Sequence, residues 1–82
     1  MALSRDEVLL VCAEFAEQQG HFTKLDVYAY YGDLGGDRCG WPLTEGFKSG
    51  YYATLRTVEA VRYYGLSETG VMRMRELRAE GG

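Results

Sequence analysis

Val8, Val11, Cys12 and Phe15 recur at i, i+3, i+4 and i+7, so they line one face of a helix and leave Glu14, Glu17 and Gln18 for solvent. Just upstream, Ser4 stands where a cap would accept the N–H of the third helical residue. Glu7, at that third position, can reach back to Ser4, and Leu3 and Val8 occupy the places of a hydrophobic staple. Gly20 supplies the stop, and the pattern predicts a helix from about residue 5 to residue 19. The same grammar repeats one step on. Thr23 is the cap, Asp26 the acidic third residue, and Phe22 with Val27 the staple of a shorter helix running to about Tyr31. Tyr28 and Tyr31 share a face of it, while Tyr30 points elsewhere, toward solvent.

From Gly32 to Pro42 the chain has four glycines and its only proline, which reads as a loop. Trp41 is expected to fold back from this loop onto the core; the alternative is an exposed binding anchor. Between Thr44 and Tyr64 two patterns compete. Leu55, Val58 and Val61 recur at helical spacing, and Gly65 stands as a stop with Leu66 behind it, which predicts a helix over at least 50–63. Gly46, Gly50 and the Tyr, Thr and Val content favour instead a hairpin over part of 51–66. Ser67 then caps a last helix, Glu68 to about Arg78, with Val71, Met74 and Leu77 as its buried stripe. That stripe is either core or, with the other terminal helix, a homodimer surface.

These elements sum to a mainly α, compact four-helix domain, with a short hairpin near 51–66 as the variant. Eighty-two residues leave room for one domain only, 1–82, near the lower limit for a core without disulfides or metal. Apolar residues make up 46% and charged residues 26%, the proportions of a folding globular chain rather than a disordered one. The longest apolar run, Val8 to Ala13, is far too short to span a bilayer, and Met1–Glu7 lacks the basic start of an export signal. Cytoplasm is the expected location, with no membrane partner, and Cys12 and Cys39 are expected to be reduced.

Catalytic chemistry has little to build on. His21 is the only histidine and has no nucleophile tied to it by spacing, so an enzyme is not expected. The glycines of 32–36 are not followed by the Gly-Lys-Ser/Thr of a phosphate loop. A calcium loop starting at Asp33 would need glycine where Arg38 stands and glutamate where Thr44 stands. No His/Cys spacing suits zinc, and no metal or cofactor is assigned.

The distribution of charge is more informative than its sum of −3. Residues 1–47 hold Arg5, Lys24 and Arg38 against eight carboxylates, whereas residues 48–78 hold six cations against Glu59, Glu68 and Glu76. A basic second half interleaved with Tyr51, Tyr52, Tyr63 and Tyr64 is a surface that could hold phosphates and contact bases. The plainer reading makes half of those tyrosines core and the arginines a solvated face.

In element order, and at Gly20-His21-Phe22-Thr23-Lys24-Leu25-Asp26-Val27 and Tyr64-Gly65-Leu66-Ser67-Glu68-Thr69-Gly70, the chain resembles a winged helix-turn-helix domain. The resemblance implies a DNA-binding transcription regulator whose reading helix enters the major groove of double-stranded DNA. It would place that helix within Thr44–Thr57, with Lys48, Ser49, Tyr52 and Arg56 as contacts and Arg62 beside them. The second function class is a protein-binding inhibitor or adaptor. Its contact set would be the acidic and aromatic residues Asp26, Tyr30, Asp33, Asp37, Trp41 and Glu45, set against a partner that handles nucleic acid.

Overall fold

A computed structural model describes residues 3–81 and gives the order α1 (Arg5–Gln19), α2 (Lys24–Tyr30), α3 (Gly40–Lys48), β1 (Tyr52–Val58), β2 (Val61–Leu66) and α4 (Glu68–Gly81). Four helices and one antiparallel hairpin agree with the mainly α expectation, hairpin included. Both capping boxes form. Ser4 Oγ accepts from Glu7 N and Thr23 Oγ1 from Asp26 N, each carboxylate returning to the cap's own N–H. Gly20, at φ 82, closes α1 in the left-handed region that favours glycine.

Two expectations fail. The helix over 50–63 is replaced by the hairpin, and the third helix lies earlier, beginning inside the segment read as a loop. Pro42 fits there because it is the third residue of α3, where no intrahelical acceptor exists for the N–H it lacks. Gly46 is required by packing. A Cβ there would stand 2.6 Å from Cε2 of the buried Tyr52 ring. Asp33 fixes the segment leading into α3, its carboxylate accepting from the backbone N–H groups of Asp37, Arg38 and Cys39 at 3.2, 2.8 and 2.9 Å.

The misleading helical spacing has a specific cause. Register runs Tyr52↔Leu66, Ala53↔Gly65, Thr54↔Tyr64 and then Arg56↔Tyr63, Thr57↔Arg62, Val58↔Val61, so Leu55 is bulged out of the ladder. A bulge adds one residue to one strand and re-aims side chains. Leu55 lies over Gly65, where an added Cβ would touch its side chain at 3.3 Å, and Arg56 lies over Tyr63 at 4.7 Å from the ring centroid. Leu55, Val58 and Val61 therefore share one face of a hairpin although they are three apart.

Glu59 and Ala60 make the turn with φ of 50° and 68°. Two positive values are what a two-residue hairpin turn needs, but neither residue is the glycine or asparagine that adopts them easily, and each costs roughly 1–2 kcal/mol. Phe22 extends the sheet on the far side of β2. Its N–H and C=O exchange hydrogen bonds with Tyr64, both at 2.9 Å.

The core gathers Val8, Leu9, Cys12 and Ala13 of α1 with Phe22, Val27, Cys39, Leu43, Tyr51, Tyr52, Tyr64 and Met74. Phe22 stacks against Tyr52 and Tyr64, and Phe47 meets the same two rings from α3. On the opposite side α4 packs against α1. Arg73 binds Asp6 at 2.9 Å, and Arg78 grips both oxygens of Glu17 at 2.8 Å. The charge polarity of the sequence is thus partly consumed within the fold, the basic last helix neutralising the acidic first one. Among the described residues no helix is long and apolar enough to cross a membrane.

Candidate functional site

Leu43, Gly46 and Pro42 turn inward on α3, so Trp41, Thr44 and Lys48 turn outward, at i, i+3 and i+7. Trp41 is 63% exposed, which corrects the expectation that it folds onto the core. The Lys48 ammonium sits 4.9 Å from the centre of its ring. Such a cation over an indole face is held without a carboxylate and keeps its charge available. Glu45 is half-buried beside this stripe.

A cleft of about 330 Å³ lies between the start of α2 and the hairpin, lined by Thr23, Lys24, Leu25, Arg62 and Tyr64, with Ala60 and Val61 at the hairpin tip. Lys24 lies 5.4 Å over the Phe47 ring, which joins this cleft to α3. The described residues place no carboxylate within ion-pair distance of Lys24, Lys48 or Arg62, whereas Arg5, Arg73 and Arg78 are all paired. Unspent positive charge accordingly runs from Lys48 through Lys24 to Arg62.

The residues read as DNA contacts are dispersed. Lys48 is exposed at the end of α3, and Arg62 is exposed on the hairpin face that also carries Thr57. Arg56 is exposed on the opposite face, where its guanidinium lies over Tyr63 and 3.4 Å from His21 Nδ1. Ser49 closes α3 and its hydroxyl accepts from Arg5 at 2.9 Å. Tyr52 is in the core, so it is not a surface contact at all. Burial drives its hydroxyl pKa far up, and the Cys12 thiol nearby reinforces the shift.

The acidic and aromatic set is dispersed as well. Asp26 serves the cap of α2 and also accepts from Gln19 at 3.0 Å. Asp33 is committed to the approach to α3, and the backbone N–H of Cys39, then that of Arg38, holds its carboxyl down at about 2. Tyr30 is exposed beside Phe15, Asp37 is exposed, and the set is split between α2, which carries Asp26 and Tyr30, α3, which carries Trp41 and Glu45, and the segment between them. Lys24 and Thr44 were not singled out from the sequence. The signal for Thr44 was the alternation of Trp41, Thr44 and Lys48 with Leu43, Gly46 and Phe47, which the two glycines and the proline disguised.

No group of His, Cys, Asp and Glu among the described residues is arranged to hold a metal. Cys12 and Cys39 are both free and buried. Burial pushes the first thiol up to about 12 and the second to about 11, far from a reactive thiolate. Compared with known proteins, the chain matches no family model, no curated protein and no solved structure.

Proposed function

We propose that the domain binds double-stranded DNA as a regulator of winged helix-turn-helix type. In this reading α3 enters the major groove, and Lys24, Lys48 and Arg62 lie on backbone phosphates. The observation that carries it is the outward stripe of Trp41, Thr44 and Lys48 on α3, continuous with cations that no carboxylate neutralises. Phosphates supply most of the affinity in such complexes and base edges the specificity. The element order also supports it: one helix, a bridging strand residue, two helices, a hairpin joined to that residue, and a closing helix. The segment from Tyr31 to Cys39 is longer than the usual turn between the two inner helices, and Asp33 gives it a fixed shape.

Trp41 is the only tryptophan of the chain, so its fluorescence tests the reading directly. Titration with duplex at low salt should quench or shift the emission. Lys48→Ala should weaken binding on every sequence, while Thr44→Ala should change the ranking of sequences. Saturating duplex with no change in emission or anisotropy contradicts the proposal.

A further inference from the structure

Val11, Glu14, Phe15 and Gln18 stand at i, i+3, i+4 and i+7 on α1, so they form one face of that helix. Together with Tyr30 from the end of α2 they line a cavity of about 150 Å³. Two of its walls are aromatic. The Phe15 and Tyr30 rings are 6.2 Å apart and cross at 82°, so they meet as a corner rather than a stack. Tyr31 in turn crosses Tyr30 at 84°, 5.0 Å away, and braces a ring that is 58% exposed. The charge beside these rings is negative. Glu14 is exposed, and no cation among the described residues lies within ion-pair distance of it. Arg78 is close enough to feel Glu14, but its two terminal nitrogens are taken by the Glu17 carboxylate at 2.8 Å. Glu7 adds to the same side, since its charge, after burial and the neighbouring Tyr30, helps to push the Tyr31 hydroxyl up to about 12.

We propose that this cavity receives the guanidinium of an arginine on a protein partner. Size and chemistry identify the occupant. Pockets for whole small-molecule ligands measure roughly 300–1,000 Å³, so a cavity of about 150 Å³ takes a single side chain. Ring faces next to an unneutralised carboxylate select a cation over an apolar group. Among cations the guanidinium fits best. Being planar, it can lie on one ring while its edge donors reach the Glu14 carboxylate and the amide oxygen of Gln18 one turn on, whereas an ammonium is a compact, strongly hydrated point charge. The site shares no residue with the stripe of α3 or the cleft at Lys24. The proposal therefore does not rest on the DNA reading, and its test contains no nucleic acid.

The probe is a blocked pentapeptide, Gly-Ser-Arg-Ser-Gly, titrated into the full chain up to about 10 mM while the ring resonances of Phe15 and Tyr30 are followed by NMR. Both rings should shift saturably. The same peptide with lysine in place of arginine should bind at least about threefold more weakly, and the one with glutamine should give no saturable shift. Glu14→Gln and Tyr30→Leu, both at exposed positions, should each weaken binding at least about fivefold and leave the circular dichroism melt nearly unchanged. Tyr30→Phe keeps the ring face and should stay within about twofold of the parent. Absence of a saturable shift with the arginine peptide overturns the proposal. So does equal binding of the lysine or glutamine peptide, binding that survives Glu14→Gln, or a loss in Tyr30→Phe as large as that in Tyr30→Leu.

Discussion

Gly70→Ala sets two physical effects against each other with opposite signs. Gly70 is in the first turn of α4, and by helix propensity alone alanine should gain up to about 1 kcal/mol there. Packing says otherwise. The backbone of α4 lies directly on that of Tyr51, whose carbonyl oxygen accepts from Ser67 N at 2.8 Å. A Cβ on Gly70 would collide with that oxygen and stand 2.9 Å from the carbonyl carbon. Neither atom is the end of a flexible side chain. Relief requires α4 to lift away from the junction of α3 and β1, where Ser67 Oγ also bonds the Gly50 carbonyl.

Ordinary overpacking costs about 1–3 kcal/mol, and a backbone collision belongs at or above the upper end, so the net loss should be at least about 2 kcal/mol after the propensity gain. For a domain of this size that is about 8–16 °C in melting temperature and a large part of the whole stability. Denaturant melts followed by far-ultraviolet circular dichroism will measure it. Trp41 fluorescence is the wrong probe, since that ring is already in water. A midpoint equal to or above that of the parent would refute the close approach of α4 to Tyr51.

Ser4→Ala should cost about 1 kcal/mol through loss of the α1 cap, read as a lower denaturation midpoint; an unchanged midpoint would mean the capping box contributes nothing. Stability should also fall in acid. Asp33 is held down by backbone N–H groups, Asp6 by its bond to Arg73 and Glu17 by its bond to Arg78. Each carboxyl has a folded value below its ordinary one of 3.8 or 4.5, so its contribution is complete above that ordinary value and is lost as pH falls through the lowered one, which for Asp33 is about 2. Melts between about pH 5 and pH 2 should show this decline, with a shallower lower end in Asp33→Asn; a flat profile contradicts it. Both thiols should resist an aromatic disulfide reagent in the native state and react together on unfolding, whereas rapid native labelling of either would contradict their burial.

What could be read from the sequence was what is local. The boxes at Ser4–Glu7 and Thr23–Asp26 are made by residues three apart, and they announced α1 and α2 to within a residue. Ser67 and the Val71, Met74, Leu77 stripe marked the start of α4 at Glu68, although the helix runs on past Arg78 to Gly81. The third helix was hidden because its two glycines and proline are explained only by distant partners, Gly46 by the ring of Tyr52 and the approach to Gly40 by Asp33. The hairpin stood only as the alternative to a helix because a bulge at Leu55 imitates helical spacing, and because Glu59-Ala60 is no ordinary turn pair. For the candidate site, Lys48, Arg56 and Arg62 were legible as exposed charges, but not that Arg56 and Arg62 lie on opposite faces of the hairpin or that Tyr52 is in the core. Which face a strand residue takes depends on register, and the bulge resets it between Thr54 and Arg56.

The dependence of duplex binding on salt tests the central claim most directly. If Lys24, Lys48 and Arg62 each neutralise one phosphate, the logarithm of the binding constant per chain should fall against the logarithm of salt with a slope of about −2.7. That is about a 40-fold loss between roughly 50 and 200 mM. Alanine at any one of the three should reduce the slope to about −1.8, and Arg56→Ala, on the other face of the hairpin, should leave it unchanged. A slope near zero, or one lowered by Arg56→Ala and untouched by Lys24→Ala, would contradict the account.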